Sequence, residues 1–150
     1  PHFIYNALNN VQSVMILKGE RESNRYIGML SKLLRFTLEI NTNEKISIKE
    51  ELEYLEAYTG LQKMWMLEQI DFKITTKFSK DPIEYEIPPM LIQPVVENAI
   101  VHGLGPVKNR KGLVSIQFLE QDGFIKVTIE DNGIGIENSK KTEKKGKWHA

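Results

Sequence analysis

Glu97 and Asn98 stand next to each other in IPPMLIQPVVENAIVHG, residues 87–103, and pair an ionisable acceptor with an amide oxygen suited to a hard metal ion. That pairing suggests chemistry on a magnesium-bound phosphate. At helical spacing Gln93 and His102 gather with them on one side, while Leu91, Val95 and Ala99, flanked by Ile92 and Val96, cover another. Taken alone, a Glu-Asn pair on such a helix is most often a solvated face. What raises the chemical reading is IEDNGIGI, residues 129–136, in which Asp131 leads directly into Gly133 and Gly135. By itself DNG is a common turn, so the order and context of the two stretches carry the signal.

The elements that must hold these residues follow from periodicity and punctuation. Pro88 and Pro89 suit a first helical turn, where a missing N–H costs nothing, so the spacing predicts a helix over residues 90–101 that Gly103 ends. The alternation of residues 69–78 predicts a strand, broken by Pro82. Two more alternating runs, 113–119 and 124–130, meet at Gln121, Asp122 and Gly123 and predict a hairpin with an Asp-Gly turn. SIKE, residues 47–50, is a capping box opening a helix that carries Leu52, Leu55, Tyr58 or Thr59, and Gln62 on successive turns. Near the start of the chain, Ile4, Leu8, Val11 and Met15 form one helical stripe, with Ala7 and Val14 flanking. Ile27, Leu30, Leu34 and Leu38 form a second, and a short polar turn after Gly19 joins them. Such a hairpin must cover its stripes with the rest of the chain or with a second copy of itself, as a four-helix bundle. Residues 41–44 read as a polar linker.

ENAIVHG resembles the N box, and DNGIGI the G1 box, of the GHKL ATPases and kinases, the superfamily of gyrase, the heat-shock chaperone ATPase, sensor histidine kinases and MutL. PHFIYNALN, residues 1–9, is similar to the PHFLFNxLN segment of the LytS-type (autolysin-sensor) histidine kinases. The resemblance implies that His2 is the phosphoacceptor, and a largely neutral imidazole does keep a free ring nitrogen as nucleophile. Asn6, one turn on, would orient the ring or the incoming phosphoryl group. The resemblance also implies Glu97 as base toward that imidazole, Asn98 as the Mg²⁺ ligand and Asp131 as acceptor of the adenine amino group. Gly133 and Gly135 would let backbone approach the base. His102 is either a phosphate contact or a helix C-terminal residue favoured by the dipole. Lys108, Arg110 and Lys111 either approach phosphates or belong to a solvated loop. Three departures stand out. Phe3 follows His2 where other histidine kinases place an acidic residue, Met64, Trp65 and Met66 stand where relatives carry a Leu-Arg-Phe-like tripeptide, and a lysine-rich tail stops before a second glycine box.

Composition sets bounds on this reading. With 150 residues and 41% hydrophobic content the chain can bury one core and a helical appendage. Its 20 basic and 20 acidic residues cancel, so no overall field draws it to nucleic acid. The absence of cysteine removes disulfides, thiolate nucleophiles and zinc-thiolate sites. No apolar run approaches the ~20 residues of a membrane span. A first residue that is Pro rather than Met reads as a piece of something longer.

The expectation is an α+β protein. Residues 1–43 would be a helical hairpin for phosphoacceptance and dimerisation, and residues 44–150 a GHKL-type ATP-binding domain. That domain would be an α/β sandwich, its mixed sheet covered by helices on one face, truncated at the lid before the second glycine box. The implied function is an ATP- and Mg²⁺-dependent protein histidine kinase of a two-component system. It would act as a homodimer and pass its phosphoryl group to an aspartate of a response regulator. It would form the cytoplasmic domain of a bacterial inner-membrane sensor, reaching the membrane through parts outside this stretch. The rival readings are an ATP hydrolase of the same fold and a catalytically silent dimerisation module.

Overall fold

The computed structural model describes residues 2–40, 42–66, 68–104 and 109–134. The class is α+β, and the chain divides into two compact units, one drawn from residues 1–68 and 80–89, the other from residues 69–79 and 90–150.

In the first unit, helix α1 (His2–Ile40) is interrupted at Gly19, whose φ of 80° and ψ of −178° lie outside helical space. The Tyr26 hydroxyl donates to the Ala7 carbonyl at 2.7 Å. In an unbroken helix 19 residues would separate these groups by about 28 Å, so the two arms fold onto one another and the expected hairpin is present. The turn differs from expectation. Glu20 to Asn24 belong to the second arm, and the Ser23 hydroxyl back-bonds to the Gly19 carbonyl at 2.7 Å, so the reversal contracts to one glycine. The buried stripes are also turned by about one position: Ala7 and Val14 face inward on one arm and Tyr26, Leu30 and Leu33 on the other, while Leu8, Met15, Ile27 and Leu38 are exposed. The tyrosine-to-carbonyl bond and the packing on the next helix, Ile48–Trp65, select that face, and periodicity alone does not.

Strand β1 (Ile46–Ser47) leads into α2 (Ile48–Trp65). The capping box is as expected: Ser47 Oγ accepts from the Glu50 amide at 3.1 Å, and the Ser47 amide donates to Glu50 Oε2 at 2.7 Å. Gly60, an unfavourable residue in mid-helix, has a packing cause, because a Cβ there would stand 2.7 Å from Met29 Sδ of α1. Phe36 and Tyr54 meet across the same seam with ring centroids 4.6 Å apart. After a 3₁₀ turn (Pro82–Glu84) capped by Asp81, β3 (Glu86–Ile87) pairs antiparallel with β1.

The second unit is a mixed sheet in the order β2 (Ile70–Lys77), β4 (Gly112–Gln121), β5 (Phe124–Asp131). β2 runs parallel to β4 from Ile70↔Gly112 to Lys77↔Leu119, and β4 is antiparallel to β5. Asp122 (φ 51°) and Gly123 (φ 78°) make the expected two-residue turn, both in the left-handed region that a type I′ hairpin requires. Val114, Ile116 and Phe118 alternate inward on β4 and are completely buried.

The helix between β3 and β4 departs from expectation in three ways. It begins at Gln93 with Pro94 in its first turn, since Met90 (φ 64°) turns the chain before Pro88 and Pro89 can start a helix. It is short, α3 (Gln93–Asn98), and continues as a π turn (Ala99–Leu104). The buried stripe is therefore Ile92, Val96, Ala99, Ile100 and Leu104, whereas Leu91 and Val95 are about half exposed, at 57% and 49%. A π turn takes more residues per turn than an α-helix, so it rotates the face that a 3.6-residue period assigns.

Candidate functional site

Glu97 and Asn98 occupy the last two positions of α3, where α-helical bonding gives way to the π turn. Gln93, one turn earlier, donates from Nε2 to Glu97 Oε1 at 3.1 Å and fixes one carboxylate oxygen. The Gln93 Oε1 atom is itself buried without a hydrogen-bond partner. Asn98 is exposed, and its amide makes no hydrogen bond among the described residues. His102, expected on this side of the helix, is exposed in the π turn.

The π turn delivers Gly103 to the end of β5. Its carbonyl accepts from the Ile134 amide at 3.0 Å, and a Cβ on Gly103 would stand 2.6 Å from Asp131 Oδ1. On the other side, a Cβ on Gly133 would collide with the Gly103 carbonyl and lie 2.5 Å from Asp131 Oδ1. The two sequence motifs thus interlock through glycines, and the geometry brings the Glu97–Asn98 helix and the aspartate turn into one unit. Asp131 Oδ1 accepts from the Gly133 amide at 2.8 Å. Its other oxygen makes no hydrogen bond among the described residues.

A second set of bonds holds this turn from the β4 side. Leu113 N donates to Asn132 Oδ1 at 2.8 Å, and Asn132 Nδ2 donates to the Lys111 carbonyl at 3.2 Å. Arg110 donates to the Asn132 carbonyl and, at 3.2 Å, to the Gly133 carbonyl. Lys111 pairs with Asp71 of β2 at 3.0 Å. Of the cations read as phosphate contacts or solvated loop, Arg110 therefore braces the turn and Lys111 pairs with β2. Gly135 and Lys108 lie outside the described residues, and so do the side chains of His2 and Asn6, whose backbone belongs to the first arm of α1.

The sequence pointed to Glu97, Asn98, His102, Asp131 and Gly133 but assigned no role to Gln93 or Asn132, read Arg110 as a phosphate contact or solvated loop, and treated Gly103 as a helix stop. Only Gln93 had a signal in the sequence, its spacing of four from Glu97. Among the described residues no cluster of three His, Cys, Asp or Glu side chains could hold a metal ion.

Residues 1–70 match the family model described as histidine kinase. The chain is 36% identical over 138 residues to the sensor histidine kinase YpdA of Escherichia coli K12, covering 91% of this chain and 23% of that protein. It is 31% identical over 139 residues to the sensor protein LytS of Oceanobacillus iheyensis and 33% over 141 residues to LytS of Streptococcus mutans, with the same coverage. The chain thus spans about a quarter of the length of these curated relatives.

Proposed function

The chain is homologous to LytS-type sensor histidine kinases, and from this premise we propose that it carries the phosphoacceptor and ATP-binding parts of an autophosphorylating two-component kinase. The observation that supports this most is the junction of Gly103 with Asp131 and Gly133. It seats the Glu97–Asn98 helix end beside the aspartate turn, so one ATP can offer its adenine to Asp131 and its phosphates to Asn98.

The donors fit magnesium carried on a substrate phosphate. Mg²⁺ is bound by one or two protein oxygens plus phosphates and waters rather than by an all-protein cage, and Asn98 offers one exposed amide oxygen. When bound there, the ion neutralises charge on the phosphates. The remaining chemistry belongs to the chain. Asp131 accepts from the adenine amine through the oxygen that Gly133 leaves open, and a carbonyl at that position, as in guanine, is repelled. Glu97, oriented by Gln93, takes the proton from the His2 imidazole as its other nitrogen bonds to the γ-phosphorus. The bond from that phosphorus to the bridging oxygen breaks, and ADP leaves with the electron pair. Asn6 steadies the imidazole; Gly133 and Gly135 let backbone approach the base, and His102 and Lys108 serve the phosphate side. The phosphoryl group then passes to a response-regulator aspartate.

In this reading residues 1–43 accept the phosphoryl group and dimerise, and residues 44–150 bind ATP. The apolar side chains left exposed on α1, Leu8, Met15, Ile16 and Leu17, support a second copy of the hairpin as their cover. Among the described residues no helix is long and apolar enough to cross a membrane, so the proposed cytoplasmic placement at an inner membrane rests on residues outside this stretch.

Calorimetric titration of the full-length protein with magnesium-ATP and magnesium-GTP tests the site. ATP binds and GTP does not; Asn98→Ala loses the magnesium dependence, while Asn98→Asp, which keeps an oxygen ligand, retains it. Equal binding of GTP removes the adenine role from Asp131.

A further inference from the structure

We propose that Gly103 and Arg110 are positioning residues for Asp131, forming a two-sided clamp that sets the carboxylate against the adenine amine. The proposal rests on the reading of Asp131 given above. On one side, the space a side chain at position 103 would fill is the space the Asp131 carboxylate occupies, since a Cβ there would stand 2.6 Å from Oδ1 and 2.9 Å from Cγ. Gly103 also anchors the far end of the turn through its carbonyl, which accepts from Ile134. On the other side, Arg110 gathers the successive carbonyls of Asn132 and Gly133. The Asn132 carbonyl shares its peptide with the Gly133 N–H that holds Asp131 Oδ1, and the Gly133 carbonyl belongs to the peptide that follows. Both bonds leave one nitrogen, Nη2, whose N–H groups are held in the guanidinium plane, a fixed geometry that an ammonium on a flexible stem does not match.

The clamp also ties the two ends of the nucleotide together. Gly103 lies five residues beyond Asn98, on the π turn that continues α3, so a shift of Asp131 against Gly103 changes the span between adenine acceptor and phosphate ligand. A carboxylate displaced by a fraction of an ångström still binds charge but no longer meets the amine in line.

Steady-state autophosphorylation of the full-length protein tests this, with thermal melting as a check of folding. Gly103→Ala raises the KM for ATP by on the order of tenfold, with kcat changed less than about threefold, because misplacement acts on recognition of the base. Arg110→Ala does the same and Arg110→Lys recovers part of the loss; this pair decides the matter if Gly103→Ala does not fold. In an Asp131→Asn background neither substitution adds to the KM, since the group they position has already lost its role. An unchanged KM in the clamp variants, or losses that add to that of Asp131→Asn, overturns the clamp alone, provided Asp131→Asn itself raises the KM. If Asp131→Asn leaves the KM for ATP where it was, the adenine reading falls and the clamp falls with it.

Discussion

In the helical unit, Glu51, Thr59 and Gln62 disappear into the packing of a regular helix, whereas in the sheet unit Asn98, His102 and Asp131 stay exposed at the end of α3, on the π turn and at a strand end. Thr59 returns its hydroxyl to the Leu55 carbonyl at 2.7 Å, and Gln62 donates to the Tyr58 hydroxyl at 3.4 Å. Glu51 is only 2% exposed, its Oε1 has no hydrogen-bond partner, and burial pushes its carboxyl up to about 7. In the sheet unit, by contrast, the backbone is bent and cross-tied by Arg110, Asn132 and two glycines, and the Asn98 amide and one Asp131 oxygen make no hydrogen bond among the described residues. The difference teaches how to weigh a polar residue in this chain. On α2 it serves packing and couples stability to pH, while on the irregular backbone it stays exposed, where the proposed function has use for it.

Exchanging the two glutamates breaks the comparison most sharply. Glu97→Gln slows labelling of His2 by about 10²- to 10⁴-fold in a rapid-quench assay while ATP affinity is nearly unchanged, as expected for loss of a general base. Glu51→Gln leaves that rate alone. A Glu97→Gln protein that no longer binds ATP would make Glu97 a structural residue like Glu51.

Stability gives the converse. Glu51 has a folded value near 7 against an ordinary 4.5, so the folded chain holds its proton longer than the unfolded chain. The stability tied to that proton is fully present below pH 4.5 and is lost as pH rises through 7. Urea unfolding at pH 5 and pH 8 then shows wild type losing up to ~3 kcal/mol relative to Glu51→Gln. Parallel pH profiles would mean that the Glu51 carboxyl finds a partner. A smaller effect belongs to Ser47→Ala, which removes the capping box and costs about 1 kcal/mol in the same unfolding experiment, without altering the KM for ATP.

What the sequence made legible divides along the same line. The capping box at Ser47 and Glu50, the Asp122-Gly123 turn and the alternating strands were readable because each depends on neighbours within a few residues. The buried faces of α1 and of α3 with its π turn were misread by about one position. A hydrophobic stripe is chosen by what covers it, and nothing in the spacing of Leu91 and Val95 announces a π turn that begins at Ala99. The candidate residues Glu97, Asn98 and Asp131 could be chosen from their types and order together with the family resemblance. Their supports could not, because Arg110 and Gly103 meet the turn only after β4 and β5 have brought residues some 20 to 30 positions apart together.

In the proposed function, ATP bound through Asp131 and Asn98 is spent on His2. Incubating the full-length protein with γ-labelled ATP and mapping the label tests it most directly. The account predicts an acid-labile, base-stable phosphoryl group on His2 that is absent from His2→Gln and Asp131→Asn. Release of labelled phosphate with His2 never labelled, although ATP is bound and consumed, would contradict it and make the protein a hydrolase.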